Sequence, residues 1–333
     1  MESQKQKKAG GTWTSFGKLV IVGTVAAVCG LAAIFSGSQS VSSINLLSLQ
    51  TGYSPEVEQA YLEYLAKYNK QYGSRSRDDI TPPRFEIFAK SYEMVKKHNA
   101  KADRLYDMEL NQFSDLPSNE VSNIKPELDE FAKSGNMITP FYSVMQVRDS
   151  WDWSQTDKLA PVSDQLACKA SWAISAIETL EAAIAIRKNI SADDTRISAQ
   201  HLIDCDSTNV GCVGGWPARA WKFFQKSGFV APESYPNKQY LGVKRQCLAI
   251  RDKSNIKRLD ADFKGRQYVT LKVEALKQLV QLQPLSVAIN APPCFKFYKS
   301  GILSNYDCGC TSTSFEEVTV NEIVTILGFG TTK

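Results

Sequence analysis

Residues 165–188, QLACKASWAISAIETLEAAIAIRK, limit how this chain can fold more than any other stretch. No proline or glycine interrupts the sequence from Trp172 to Lys188. Alanine and leucine favour a helix there, and Arg187 and Lys188 stand where basic side chains complement a helix C-terminus. Trp172, Ile174, Ala176, Ile177, Leu180, Ala183, Ile184 and Ile186 cover more than one face. The spacing therefore predicts a central helix buried nearly all round. Ser171 falls at its start, where backbone N–H groups lack intrahelical partners.

The 333 residues, 43% of them hydrophobic, suffice for one large domain or two modest ones. A net charge of +4 is spread along the chain, without a basic block interleaved with aromatics, which argues against a nucleic-acid partner. Of eight cysteines, Cys29 lies in an apolar N-terminal stretch and the other seven follow from Cys168 onward. This clustering points to disulfides in a compartment that permits them, with at least one of the seven left over. Zinc is the rival reading for Cys308 and Cys310. No second cysteine pair has metal-site spacing, so neither a metal nor a cofactor is expected. Only two histidines exist, His98 and His201, and any mechanism needing a histidine base must use one of them.

Residues 1–18 are polar and basic through Lys5, Lys7, Lys8 and Lys18. Residues 19–35, LVIVGTVAAVCGLAAIF, carry no charge. At about 1.5 Å per residue they fall slightly short of a bilayer core. They read as a transmembrane helix, with a cleaved signal sequence or a buried soluble helix as alternatives. An anchor would leave the lysines on the cytoplasmic or matrix side. The body would then lie in an endomembrane lumen, a lysosome or vacuole, or the extracellular space, with the mitochondrial inner membrane as the alternative. Residues 36–53 read as a linker. Ser54, Pro55 and Glu56 form a helix start, and Val57, Tyr61, Tyr64 or Leu65, and Tyr68 continue it to about Tyr72. A second helix is predicted over about residues 82–102, with Phe85, Phe88, Tyr92 and Val95 as its apolar stripe and His98 as a partly exposed structural residue. Later, Val273 to Leu282 has a helical pattern that Pro284 stops, and residues 285–289 alternate as a half-buried strand. Asn189-Ile190-Ser191 is an N-glycosylation acceptor triplet, relevant only in a secretory lumen.

The central segment resembles the active-site region of papain-like cysteine peptidases, Gln-x-x-Cys-x-x-Cys-Trp. Gln165, Cys168 and Trp172 match; the nucleophile's position holds Ser171, and two usual glycines fall on Leu166 and Lys169. The preceding helices resemble the inhibitory propeptide of the cathepsin L-like branch through Arg84, Phe88 and Asn99, then Asn111, Phe113 and Asp115. Val95, Ser91, Ile80 and Glu109 replace its Ile, Asn, Glu and Gly. Gly211-Cys212-Val213-Gly214-Gly215 matches the family's Gly-Cys-x-Gly-Gly segment, and residues 198–205 resemble the helix that precedes it, with His201 on that helix's surface.

The resemblance implies an α+β, papain-like fold of two subdomains, one helical and one barrel-like, C-terminally truncated. An α-helical propeptide domain and one N-terminal transmembrane helix would precede it. The expected divisions are 54–118 for the propeptide domain, 119–150 for a connecting segment and 151–333 for the peptidase body. Disulfides are implied at Cys168–Cys212 and Cys205–Cys247, and Cys294 would pair with Cys308 or Cys310. A substrate or partner groove would be lined by Gln165, Trp172, Gly214, Gly215 and Trp216, with a plain core role for Trp216 equally open. Gln165 would be the oxyanion-stabilising side chain. The family's base histidine falls on Glu322 in Asn321-Glu322-Ile323-Val324, and the chain stops at Lys333 before the segment that supplies an orienting asparagine.

With nucleophile, base and orienter all altered, the expectation is a catalytically inactive homologue with a binding, scaffolding or membrane-complex assembly role. Its partners would be its own propeptide in the groove, a protein, and a membrane through residues 19–35. The alternatives are a hydrolase using Ser171 and Glu322, or a nonfunctional truncated homologue.

Overall fold

The computed structural model describes residues 52–72, 82–117, 137–138, 146–166, 168–235, 243–250, 252–259, 268–269, 272–304 and 320–331. The predicted membrane segment at 19–35, Ile80, and Cys308 and Cys310 lie outside them. Among the described residues no helix is long and apolar enough to cross a membrane. The chain divides into two compact units, residues 1–82 and 83–333.

The first unit contains helix α1, Pro55–Lys67. Pro55 opens it where a missing N–H costs nothing, and Glu56 and Glu58 place acids in its first turn. Tyr64 is buried, with the rings of Tyr61 and Tyr68 at 6.0 and 5.1 Å. The helix stops about a turn short of the predicted Tyr72. Asn69 takes a left-handed φ of 47°, which ends helical hydrogen bonding.

Helix α2, Pro82–Asn99, belongs to the second unit from its second residue onward. Phe85 and Phe88 of its apolar stripe are buried. His98 is buried as well, its Nε2 2.8 Å from Tyr106 O and its ring 4.1 Å from the Tyr106 ring, so it is not the partly exposed residue predicted. Strand β1, Tyr106–Met108, pairs antiparallel with β6, Tyr298–Gly301. β2, Met137–Ile138, pairs in parallel with β4, Tyr268–Val269. β3, Trp151–Asp152, pairs with β8, Gly328–Phe329, and β5, Leu285–Ile289, pairs with β7, Glu322–Ile326, both antiparallel. Among the described residues each sheet has two strands.

The central element is α3, Ser171–Lys188, capped by Asn189 in the left-handed region. Its buried side chains lie on several faces, as its sequence dictates. Around it pack α4, Ala199–Cys205, α5, Pro217–Ser227, and the β5–β7 pair. Trp172, Ala176, Leu180, Leu202, Ile203, Phe224 and Ile323 share one core. α6, Val273–Leu282, buries Leu279 and Val280, and the Val280 carbonyl accepts the indole N–H of Trp153 at 2.6 Å.

Candidate active site

The loop leading into α3 sets the geometry at Ser171. Gln165 Oε1 accepts the Ala170 N–H at 2.9 Å. The following backbone turns back at Leu166, whose φ is 53°. A leucine there carries a left-handed strain of about 1–2 kcal/mol that glycine would escape. Cys168 is bonded to Cys212, tying this loop to the Gly211–Val213 turn.

Trp172 is a core residue rather than a groove residue. It is 1% exposed, and its indole N–H donates to Gly211 O at 3.0 Å. Its size explains why so large a ring at the helix head is swallowed while Ser171 stays half-buried. Gly215 lies against that ring: a Cβ there would stand 2.6 Å from Asn209 Oδ1 and 2.7 Å from Trp172 Cδ2. Asn209 holds the next residue by both backbone groups, accepting the Trp216 N–H at 2.8 Å and donating to its carbonyl at 3.3 Å. Trp216 is half-buried and packs on the core edge, and Gly214 is buried at a φ of 140°.

The Ser171 hydroxyl makes no hydrogen bond with a described residue. Glu322 begins β7, and its Oε1 accepts the N–H of Ile323 at 3.1 Å. Ile323 and Thr325, on the alternate side of the strand, pack and bond against α3. Thr325 Oγ1 lies 3.0 Å from both Ser175 Oγ and Glu178 Oε2, and Ser175 Oγ lies 2.7 Å from Ser286 Oγ. No hydrogen bond joins Ser171 to Glu322. The histidines are also engaged elsewhere. His201 is buried, not on a helix surface: its ring lies 5.6 Å from Phe223 and 5.3 Å from Tyr235. Burial drives its pKa down to about 4, with Asp204 opposing.

The sequence pattern did not single out the polar groups under this site. Glu181 is buried, accepts the Ile197 N–H at 2.6 Å and lies 3.5 Å from Arg196 Nε. Burial raises its pKa to about 7 despite those two partners. Burial also raises that of Glu178, with the Thr325 hydroxyl pulling the other way. Asp204 accepts from Gln200, Tyr235 and Arg245, fixing the loop before Cys247, and Cys247 is bonded to Cys205. Glutamates at 178 and 181 inside a helix predicted to be buried all round were the available signal: a buried carboxylate demands partners. Cys294 is disulfide-bonded to a cysteine outside the described residues, and Asn189 is exposed. No group of three or more His, Cys, Asp or Glu side chains is arranged to hold a metal among the described residues.

The prosegment packs on the body within the same unit. Asn99 accepts the Met108 N–H at 3.0 Å and donates to the Met108 carbonyl at 2.8 Å. Asn111 donates to Lys296 O at 2.6 Å, and Lys296 Nζ reaches Leu116 O at 2.7 Å. Tyr106 and Met108 share a small core with Cys294 and Phe297.

The family described as papain family cysteine protease matches residues 147–333, more than half of the chain. The chain belongs to this papain family. The cathepsin propeptide inhibitor domain matches residues 61–121, so the family's propeptide precedes its peptidase domain here. Among curated relatives, cysteine protease Amb a 11.0101 of Ambrosia artemisiifolia is 30% identical over 83% of this chain and 69% of its own. The probable cysteine protease RDL2 of Arabidopsis thaliana is 30% identical over 88% and 80%, and cysteine proteinase RD21A of the same plant 32% over 76% and 54%. The crystal structure of the Amb a 11 proform covers 85% of this chain and 82% of its own, with a TM-score of 0.64 at 26% identity. Papain-family relatives with propeptides thus share the fold that frames Ser171.

Proposed function

We propose that this papain-family chain is catalytically silent: it keeps its propeptide docked and serves a binding or assembly role. The observation that carries this reading is the Ser171 hydroxyl, which has no hydrogen-bonded base among the described residues. A serine alcohol at neutral pH is a poor nucleophile unless an adjacent group takes its proton. Glu322 occupies the base position and bonds its neighbour's N–H, and both histidines are held in packed surroundings by other groups. An oxyanion donor such as Gln165 stabilises a charge only if one develops.

Binding needs shape and backbone rather than proton transfer, and the frame supplies both through Trp172, Gly215, Trp216 and the two disulfides. In this reading the propeptide is a permanent part of the protein rather than a segment removed on activation. A protein partner covers what remains, and residues 19–35 tether the assembly with its body in an endomembrane lumen. The cysteine bonds favour such a compartment.

The test uses purified full-length protein with a panel of fluorogenic peptides, beside Ser171→Ala and Glu322→Gln. The expected result is no turnover above either variant, and a stoichiometric partner on purification in mild detergent. Turnover lost on changing Ser171 would instead establish a serine-dependent hydrolase.

A further inference from the structure

We propose that Asn189 carries an N-linked glycan, which marks the far end of α3 as the solvent-facing side of the assembly. Asn189-Ile190-Ser191 is the only Asn-x-Ser/Thr triplet in the chain. A helix C-cap in the left-handed region favours glycine or asparagine for conformational reasons alone, so the asparagine by itself is no argument. The surroundings go further. Asn189 is exposed, and its side-chain amide makes no hydrogen bond with a described residue. The backbone does the capping: the Asn189 N–H donates to Ala185 O and Ile186 O, the Ile190 N–H donates to Ala185 O, and Ile190 O accepts from Lys158 Nζ at 2.9 Å. Among the described residues the side chain thus has no structural partner at the position where a glycan needs to leave the surface. Exposed Arg187, Lys188, Asp193 and Asp194 surround it with polar groups rather than apolar surface that a glycan would have to displace.

Place in the fold argues the same way. α3 has 18 residues, so at about 1.5 Å rise per residue its ends lie roughly 27 Å apart. A glycan at Asn189 leaves the Ser171 end clear for a partner while covering the opposite end. In the transfer, Asn189 Nδ2 bonds to C1 of the reducing sugar of a lipid-linked oligosaccharide diphosphate. The C1–O bond breaks, the lipid diphosphate leaves with the electron pair, and the amide proton passes to the transferase's base. The proposal rests on the lumenal reading given above, because that donor and transferase act in the secretory lumen.

Full-length protein expressed in eukaryotic cells tests both, with gel mobility before and after peptide-N-glycosidase, and mass spectrometry of the 189 peptide in heavy-oxygen water. The native chain is expected to show one glycosidase-sensitive step. Asn189→Gly, which keeps the left-handed cap, and Ser191→Ala lose the step, whereas Ser191→Thr keeps it. Asp252→Asn creates a second acceptor triplet with Lys253 and Ser254 in an exposed turn, and is expected to give two steps. One step in Asp252→Asn and none in the native chain would overturn the Asn189 site while upholding lumenal exposure. No step in either protein would overturn the compartment and the site together.

Discussion

Where the prosegment meets β6, polar side chains hold backbone. Asn99 satisfies both groups of Met108, Asn111 reaches Lys296 O and Lys296 returns to Leu116 O. At the head of α3 the same kind of work is done in full: Gln165 holds Ala170, Asn209 holds Trp216 and Trp172 holds Gly211. What differs is the pair that would move a proton. Ser171 and Glu322 share no hydrogen bond, although each sits at the first residue of its element. Framing a backbone and transferring a proton use different atoms of neighbouring residues. A chain can therefore hold such a frame whether or not a proton-transferring pair stands within it.

The sharpest way to break this comparison is to cut the frame and the reacting residue separately. Trp172→Ala empties a core site and strands the Gly211 carbonyl, at a cost of about 3–5 kcal/mol by urea unfolding. Ser171→Ala removes a hydroxyl with no described partner and should stay within about 0.5 kcal/mol of the parent. Similar costs for the two would place Ser171 in the frame.

A second effect, about 3 kcal/mol at each of two sites when fully developed, appears only in pH dependence. The pKa of His201 falls from 6.5 to about 4 on folding. The unfolded chain thus gains a proton that the folded chain refuses, and this contribution is present above pH 6.5 and lost as pH falls towards 4. The pKa of Glu181 rises from 4.5 to about 7 on folding, with Glu178 adding to the rise and Arg196 opposing it. Its contribution is present below pH 4.5 and lost as pH rises through 7. The two slopes oppose each other over one window, so the native chain should decline less steeply there than His201→Gln, with the raised pKa of Glu178 adding to the decline. His201→Gln should leave stability declining from pH 4.5 to 7, and Glu181→Gln should leave it climbing. Urea midpoints across that window decide; parallel slopes in all three proteins would refute the pairing.

The next test is Asn99→Ala. It leaves the N–H and C=O of Met108 without their shared partner, about 1–3 kcal/mol for each group that water does not reach. The expected readout is faster proteolysis between residues 100 and 117 with the α3 region still protected. Uniform loss of protection would mean that the dock and the frame unfold as one.

α1, α2, α3, α6 and β5 were legible because their signals are local: apolar spacing, a stopping proline, a stretch free of glycine. The segment around α3 was legible by resemblance, since Gln165 holds the Ala170 N–H, Cys168 makes a disulfide, Gly211 takes a left-handed φ and Gly215 leaves no room for a Cβ, roles that few residue types fill. The burial of His201 was not. It depends on Phe223 and Tyr235, brought in from other segments, whereas the resemblance put that side chain on the helix surface. The resemblance assigned Trp172 to the groove, but one residue along a helix from Ser171 is about 100° of rotation, enough to turn its side chain into the core. The Ser175–Ser286–Thr325–Glu178 contacts span three elements and leave no periodic trace in any of them.

The finest test concerns Leu166, which lies between the frame and the reacting residue. Its φ of 53° costs an L side chain about 1–2 kcal/mol, and glycine removes that cost while adding about 0.5–1 kcal/mol of chain entropy to the unfolded state. Leu166 is 46% exposed, so little burial is lost with its side chain. Leu166→Gly should therefore stabilise by less than about 1 kcal/mol, shifting the urea midpoint upward without changing the slope. Leu166→Val, whose branched Cβ tolerates the left-handed region worst, should shift it down. A midpoint that falls with glycine would show the leucine side chain fastening this loop by more than its backbone strain. The turn before Ser171 would then belong with the framing contacts of Gln165 and Asn209, and the boundary between frame and chemistry would narrow to the Ser171 side chain itself.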